Sequence, residues 1–226
     1  MTLKIADRGR VPPFLVMDVL RDASAREAAG ASVLHLEIGQ PSAGIPPEVA
    51  CGLAAALTAG GDPMGYTMAQ GLPALRQRIA RHADRLYDSA VDPGRVFCTM
   101  GSSAAFLIAF LAAFAPGDRV ALASPGYPAY RHILKAVGIE PVLLPVGPET
   151  RFQPTPEMLD GLDVDGLIVA SPSNPTGSML SPEALKALAE TCHARGIRLI
   201  SDEIYHGIGY GMKFATASAF SPSAVV

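Results

Sequence analysis

Polar and aromatic side chains that could act on one ligand stand where predicted strands end. Asp202 follows the apolar run 197–200, and Tyr205 lies three residues further on. A carboxylate at the end of a buried strand is costly unless a cation or hydrogen-bond donors satisfy it. A helix cap or a structural salt bridge is the simpler interpretation for a lone Asp. The more specific interpretation is that Asp202 faces the ring nitrogen of a bound pyridine and keeps that nitrogen protonated.

A second candidate segment, 99–104, lies between a predicted strand and a predicted helix. Gly101 permits close backbone approach, and Ser102 and Ser103 add hydroxyls beside the free N–H groups of the helix start. With the helix dipole these groups predict an anion site, most naturally for a phosphate. An ordinary serine N-cap is the alternative.

Two further turns follow predicted strands. In 124–130, two prolines flank Tyr127 and stiffen a turn that suits stacking of its ring on a flat ligand; a surface turn is the alternative. In 171–177, Asn174 can donate to an oxygen above the sheet, and the proline after it fixes the backbone and permits a cis bond. The alternative there is a plain loop before a helix capped by Ser181.

The elements that must position these residues alternate between strand and helix. Strands are predicted at 95–100, 119–123, 141–146, 166–170 and 197–200, and helices at 13–29, 47–57, 72–87, 102–114, 127–137, 156–162 and 182–195. This alternation predicts an α/β protein of three α/β/α layers with a mostly parallel sheet, preceded by a short helical N-terminal segment. Such sheets bind ligands at the carboxyl ends of their strands.

Composition excludes several classes of protein. Apolar residues make up 49% of the chain, charged residues 17%, and the net charge is −3, so neither nucleic acid nor a membrane is an expected partner. The longest apolar run, 104–115, is shorter than the roughly 20 residues of a membrane-spanning helix. The three cysteines are widely spaced, and no metal site is predicted. We expect a soluble, cytoplasmic protein without a signal peptide.

Two strings in order are the most specific feature of the chain. Asn-Pro-Thr-Gly at 174–177 and Ser-Asp-Glu-Ile-Tyr at 201–205 resemble the class I/II aminotransferases, which are fold-type I pyridoxal-phosphate enzymes related to aspartate aminotransferase. The segments 37–41, 65–67 and 71–76 also resemble that family. The resemblance therefore covers nearly the whole chain.

The resemblance implies that pyridoxal 5′-phosphate is the cofactor. Its phosphate would lie against Gly101, Ser102 and Ser103, and Tyr127 would stack on its ring. The cofactor withdraws electrons from a carbanion, and a protonated ring nitrogen strengthens that withdrawal.

The same resemblance assigns the remaining contacts. Asn174 and Tyr205 would hydrogen-bond the ring hydroxyl oxygen, and Asp202 would pair with the ring nitrogen and keep it protonated. In a homodimer, Tyr66 would reach the phosphate of the neighbouring subunit. Gly39 would lie near the substrate carboxylate.

One expected residue is missing. The family's Schiff-base lysine stands in a Ser-x-x-Lys segment, and none of this chain's lysines has that context, so no catalytic residue is assigned and this chain alone is expected to be nearly inactive. The lysines are Lys4, Lys135, Lys186 and Lys213.

Residues 1–35 are predicted to belong to the small domain and 36–226 to a truncated large domain, with the C-terminal small domain absent. The apolar end 223–226 is interpreted as the beginning of another buried strand, at which the chain is truncated.

The leading functional hypothesis is an aminotransferase that moves an amino group between an amino acid and a 2-oxo acid. A lyase or decarboxylase of the same fold would share every residue named. A non-catalytic, degenerate fragment is the alternative from another class.

Overall fold

The computed structural model describes residues 3–39, 43–60 and 65–226. The chain divides into two compact units. One consists of Met1–Pro12 with Gln70–Val226, and the other of Pro13–Ala69. The domain boundary predicted after residue 35 stays a prediction.

The smaller unit carries two helices that the sequence predicts. They are α1 (Leu15–Ala28) and α2 (Pro47–Thr58), and α2 begins with proline in its first turn, where no N–H is needed. The predicted turn at Gln40 and Pro41 and most of the predicted loop 60–63 lie outside the described residues.

The larger unit alternates strands and helices as predicted. Its helices are α3 (Pro73–Tyr87), α4 (Ser102–Ala113), α5 (Pro128–Ala136) and α6 (Pro182–Ala194). Its strands are β1 (Arg119–Ser124), β2 (Glu140–Pro145), β3 (Gly166–Ala170) and β4 (Arg198–Asp202). They form a parallel sheet in the order β2-β1-β3-β4.

Side chains of the central strand β3 show why the sheet needs a helical layer on each face. Leu167 and Val169 pack in one core with Leu188 of α6, whereas Ile168 packs in another with Phe110 of α4. Successive side chains of a strand point to opposite faces, so a strand buried on both faces reads as a continuous apolar run. The predicted three-layer α/β/α architecture is confirmed.

The prediction of a strand at 95–100 is wrong. A 3₁₀ turn at Pro93–Arg95 is followed by irregular chain, in which the Cys98 N–H donates to the Gln70 carbonyl at 3.0 Å. A strand needs a ladder of such bonds with a neighbour, and no described strand lies beside this segment. Met100 accordingly has 94% of its surface exposed.

Two shorter predictions have different outcomes. The helix predicted just before β3 is a single 3₁₀ turn, Pro156–Leu159, and Gly161 follows it in a left-handed conformation at φ 71°. The beginning of a strand predicted at 223–226 agrees with the structure: Val225 donates to the Leu199 carbonyl at 3.0 Å and accepts from the Ser201 N–H at 2.8 Å. Val225 thus forms a parallel bridge to β4.

Two kinds of feature are absent from the described ranges. None of the helices there combines the length and apolar character that a bilayer crossing requires. Likewise, no group of three or more His, Cys, Asp or Glu side chains in those ranges is arranged to hold a metal ion.

The cysteines are expected to differ in reactivity. Cys192 lies in the α6 core, where burial raises the pKa of its thiol to about 12, whereas Cys51 is exposed. Because the thiolate is the reactive form, alkylation of Cys192 at pH 8 should be about a thousandfold slower than that of Cys51. Mass mapping after iodoacetamide treatment, with and without urea, measures this. Equal labelling in the native protein would contradict the burial of Cys192.

Candidate active site

Asp202 ends β4 at the carboxyl edge of the sheet, and protein donors hold both of its oxygens. Oδ2 accepts from the Tyr130 hydroxyl at 2.5 Å, and Oδ1 accepts from the Ile204 N–H at 3.1 Å. Burial and the charge of Asp202 raise the pKa of Tyr130, so its phenol stays protonated and donates. The carboxylate is therefore fixed in orientation.

A hollow of about 280 Å³, including its open mouth, lies at the ends of β1 and β3. Its lining includes Gly126, Tyr127, Tyr130, Gln153, Ala170 and Asn174. Tyr127 and Tyr130 meet edge to face, with ring centroids 5.3 Å apart. The structure thus places Tyr127 and Asn174 in one hollow, whose wall residue Tyr130 binds Asp202.

Local chain geometry sets the position of Tyr127. Tyr127 is the residue before α5, and Pro128 follows at the first helical position. A Cβ on Gly126 would lie 2.5 Å from the Ala123 carbonyl oxygen, so only glycine fits this turn. The turn directs the chain from β1 into α5 beside the hollow.

Substituting Gly126 tests this turn. Gly126→Ala should lower the free energy of unfolding by at least about 1 kcal/mol, because the new methyl meets backbone that cannot yield easily. Gly52→Ala is the matched control: Gly52 lies within α2 with open space around it, and alanine there should stabilise by roughly 0.5–1 kcal/mol. Urea unfolding measures both, and an unchanged stability for Gly126→Ala would contradict the close approach.

The start of α4 has the form of an anion site. Gly101 has φ 80°, no side chain caps the helix, and Ser102 and Ser103 are exposed. Phe106 lies four residues after Ser102 and three after Ser103, so it shares a face of α4 with them. Its ring contacts the ring of Tyr130, with the centroids 4.9 Å apart. The two serines thus lie one turn nearer the helix start, on the side of α4 that faces Tyr130. Their role toward a phosphate stays a prediction.

The loop 171–178 that carries Asn174 is held at its base. Gln153 donates through Nε2 to the carbonyls of Ala170 at 3.1 Å and Ser178 at 2.9 Å. Within the loop, the Ser173 N–H donates to the Ser178 carbonyl at 2.9 Å. The bond before Pro175 is cis, as the sequence analysis allowed. Ser181 also caps α6 by accepting from the Ala184 N–H at 3.2 Å.

The remaining predicted site residues, Tyr205, Gly39 and Tyr66, are not among those that line the hollow. Tyr205 is half-buried in the turn after β4, near enough to Tyr130 for its phenol to contribute to the raised pKa of Tyr130. Gly39 and Tyr66 belong to the smaller unit and are exposed. Their roles, and that of Tyr205, stay predictions.

Sequence reasoning missed Tyr130 and Gln153. Tyr130 follows Tyr127 by three residues at the start of α5, so the helical spacing itself was a signal that both rings share one face. Gln153 follows two residues with positive φ, Arg151 and Phe152, and no pattern in the sequence marks that bend.

Comparison with known proteins gives the family. The model of the aminotransferase class I and II family matches residues 31–224, which is most of the chain. The chain belongs to this family.

Named relatives support the family assignment. The valine–pyruvate aminotransferase of Mycobacterium tuberculosis is 49% identical over 225 residues, which are 99% of this chain and 58% of the relative. The aspartate aminotransferase of Geobacillus stearothermophilus is 31% identical, over 97% of this chain and 57% of the relative. The chain therefore spans less than two thirds of the length of these relatives.

Solved structures share the aminotransferase fold. The crystal structure of an aminotransferase from Mycobacterium tuberculosis superposes with a TM-score of 0.93 at 48% identity, covering 99% of this chain and 58% of that one. The aspartate aminotransferase from Thermus thermophilus with maleate also gives 0.93, at 28% identity, with coverage of 99% and 59%.

The residues at the hollow suit the cofactor expected of the family. A flat pyridine ring needs an aromatic wall, a carboxylate for its nitrogen and donors for its hydroxyl, and Tyr127, Asp202 and Asn174 have those properties. The start of α4 offers N–H groups for a phosphate, and apart from its chain neighbours no described residue has an atom within 4 Å of the position a Cβ would take on Gly101. The donor set therefore fits pyridoxal 5′-phosphate.

Proposed function

We propose that the larger unit binds pyridoxal 5′-phosphate and belongs to an enzyme that transfers an amino group between an amino acid and a 2-oxo acid. The observation that carries the proposal is the Asp202 carboxylate, which is bound by Tyr130, a residue that lines the same hollow as Tyr127 and Asn174. The bound cofactor supplies an electron-withdrawing ring that stabilises negative charge on the substrate carbon.

Each residue has a separate task. Asp202 keeps a proton on the ring nitrogen, because an anion beside a base favours its charged form. Tyr127 excludes water from one face of the ring. Asn174 and Tyr205 donate hydrogen bonds to the ring oxygen, and Ser102 with its neighbouring N–H groups binds the phosphate.

Proton transfer at the substrate carbon needs a base that this chain does not supply. No lysine stands in the Ser-x-x-Lys context, so we assign cofactor binding, and not turnover, to this chain alone. The activity printed for the 49% identical relative makes valine and pyruvate the first pair to assay on the product of the whole gene. Amino transfer is favoured over elimination because the named relatives are aminotransferases.

Assembly and location belong to the same proposal. Tyr66 is fully exposed, as a side chain that reaches a neighbouring subunit of a homodimer should be. A cytoplasmic location is proposed from the dispersed cysteines.

Equilibrium dialysis tests cofactor binding directly. Pyridoxal 5′-phosphate should bind saturably and more tightly than pyridoxal, which lacks the phosphate. Tyr127→Ala should weaken both, since stacking depends on the ring and not on the phosphate. Absence of saturable binding by the wild-type chain would refute the proposal.

A further inference from the structure

A buried polar cluster adjoins the loop that carries Asn174 and has no part in the functions assigned above. It consists of Tyr87, Ser171, Glu203 and His206. The side chains of His206 and Glu203 are 6% and 7% exposed. Buried ionisable groups are expensive, so their presence here calls for a physical reason.

His206 makes two hydrogen bonds that fix its tautomer. Its Nε2 lies 2.9 Å from the Ser171 carbonyl oxygen, and its Nδ1 lies 2.5 Å from the Tyr87 hydroxyl. A carbonyl only accepts, so Nε2 carries the hydrogen, and in the neutral ring Nδ1 accepts from Tyr87. Burial lowers the pKa of His206 and raises that of Tyr87 to about 12, which favours this arrangement.

The bond to Ser171 connects two parts of the candidate site. Ser171 directly follows β3 and precedes Asn174 by three residues. Its N–H donates to the Asp202 carbonyl at 3.1 Å, and its own carbonyl accepts from His206. Both backbone polar groups of Ser171 are thus bound by the segment 202–206, which also carries Tyr205.

We propose that His206 is a positioning residue for the cofactor: by holding Ser171, it sets the position of Asn174 relative to Asp202 and Tyr205. The inference rests on the proposed function, in which Asn174 and Tyr205 meet on one ring oxygen. Two donors that share an acceptor must be held to within about 0.5 Å of the productive geometry. The bond from His206 to Ser171 supplies that constraint from outside the hollow.

Variants of His206 separate the contribution of the Ser171 bond from that of general packing. In His206→Gln the amide reaches the place of Nε2 and donates to Ser171, whereas in His206→Asn the shorter amide does not reach it. The Asn variant should raise the dissociation constant for pyridoxal 5′-phosphate about tenfold, and the Gln variant much less. His193→Leu, at an exposed histidine in α6, is the control and should change nothing.

A second readout distinguishes positioning from stability. The pH at which the hydroxyl of the bound ring ionises, followed by its near-ultraviolet absorbance, should rise in His206→Asn, because donors to the ionised oxygen are misplaced. It should stay near the wild-type value in His206→Gln. A merely structural role would lower the melting temperature of the variants and leave this midpoint unmoved.

The outcomes are distinguishable. If the wild-type chain does not bind pyridoxal 5′-phosphate, the proposed function fails and the inference fails with it. If the wild type binds, and His206→Asn keeps both the dissociation constant and the ionisation midpoint, the inference alone is overturned. Weaker binding with a shifted midpoint in His206→Asn, restored in His206→Gln, supports it.

Discussion

Replacing Asp202 by asparagine should weaken binding of pyridoxal 5′-phosphate by roughly 10- to 100-fold. A hydrogen bond to a charged group contributes about 1.5–3 kcal/mol, and each 1.4 kcal/mol is a factor of ten in the dissociation constant. The amide oxygen of asparagine can still accept from Tyr130 or from the Ile204 N–H, so the local fold should survive. What is lost is the negative charge that holds a proton on the ring nitrogen.

An analogue with carbon in place of the ring nitrogen makes this test specific. The wild type and Asp202→Asn should bind the analogue equally, because it offers no nitrogen to pair with. Asp165→Asn is the matched control: Asp165 precedes β3 at the opposite end of the sheet, where it accepts from the Arg119 N–H at 2.8 Å. An equal loss of affinity for cofactor and analogue would show that Asp202 acts through the fold and not on the nitrogen.

The sequence predicted the sheet well where strands are buried on both faces. The runs in β3 and β4 are apolar because each lies between two helical layers, so composition alone located them to within two residues. The run 95–100 has the same local character, yet it is irregular, because strand formation also requires a neighbouring strand. No pattern within one segment can report whether its partner exists.

The site was predictable only in part for a related reason. Asp202 ends a strand, and Tyr127 and Asn174 lie within four residues after one, so parallel topology places all three at one edge of the sheet. Their supports come from distant sequence: Tyr87 and His206 bond across 119 residues. Such pairs depend on the tertiary fold, which a single sequence does not reveal.

Glu203 gives the second large prediction, which concerns stability. Its Oε1 accepts from the Ser201 hydroxyl at 2.9 Å and the Ala217 N–H at 2.8 Å. Its Oε2 is buried without a hydrogen bond to any described residue, 3.6 Å from His206 Nδ1. Burial, with a smaller contribution from the charge of Asp202, raises the pKa of Glu203 above the ordinary value of 4.5.

The sign of the pH dependence follows from this shift. The native state binds the Glu203 proton more tightly than the unfolded state does. The contribution of this protonated carboxyl to the free energy of unfolding is therefore complete below pH 4.5 and is lost as the pH rises toward the native pKa. His206 acts in the opposite sense, because burial lowers its pKa from 6.5. The contribution of its neutral ring to the free energy of unfolding is therefore lost as the pH falls below 6.5. Glu203→Gln removes the first effect and keeps the second.

Glu203→Gln should therefore be more stable than the wild type by roughly 1–3 kcal/mol at pH 8. The reason is that a buried polar group without a partner costs more free energy when it is charged, and glutamine carries no charge. The difference should shrink toward pH 4.5. Urea unfolding between pH 4.5 and 8.5 measures it, with Glu183→Gln as the control. Glu183 lies exposed at the start of α6, where the backbone N–H lowers its pKa, so this substitution should not stabilise.

The opposite result would be equally informative. If Glu203→Gln is less stable than the wild type at pH 8, the carboxylate must be charged and paired with a protonated His206 across the 3.6 Å gap. The ring would then donate from both nitrogens, and the Tyr87 hydroxyl would accept instead of donating. Burial would no longer govern the cluster, because the attraction between the two charges would exceed their cost of desolvation.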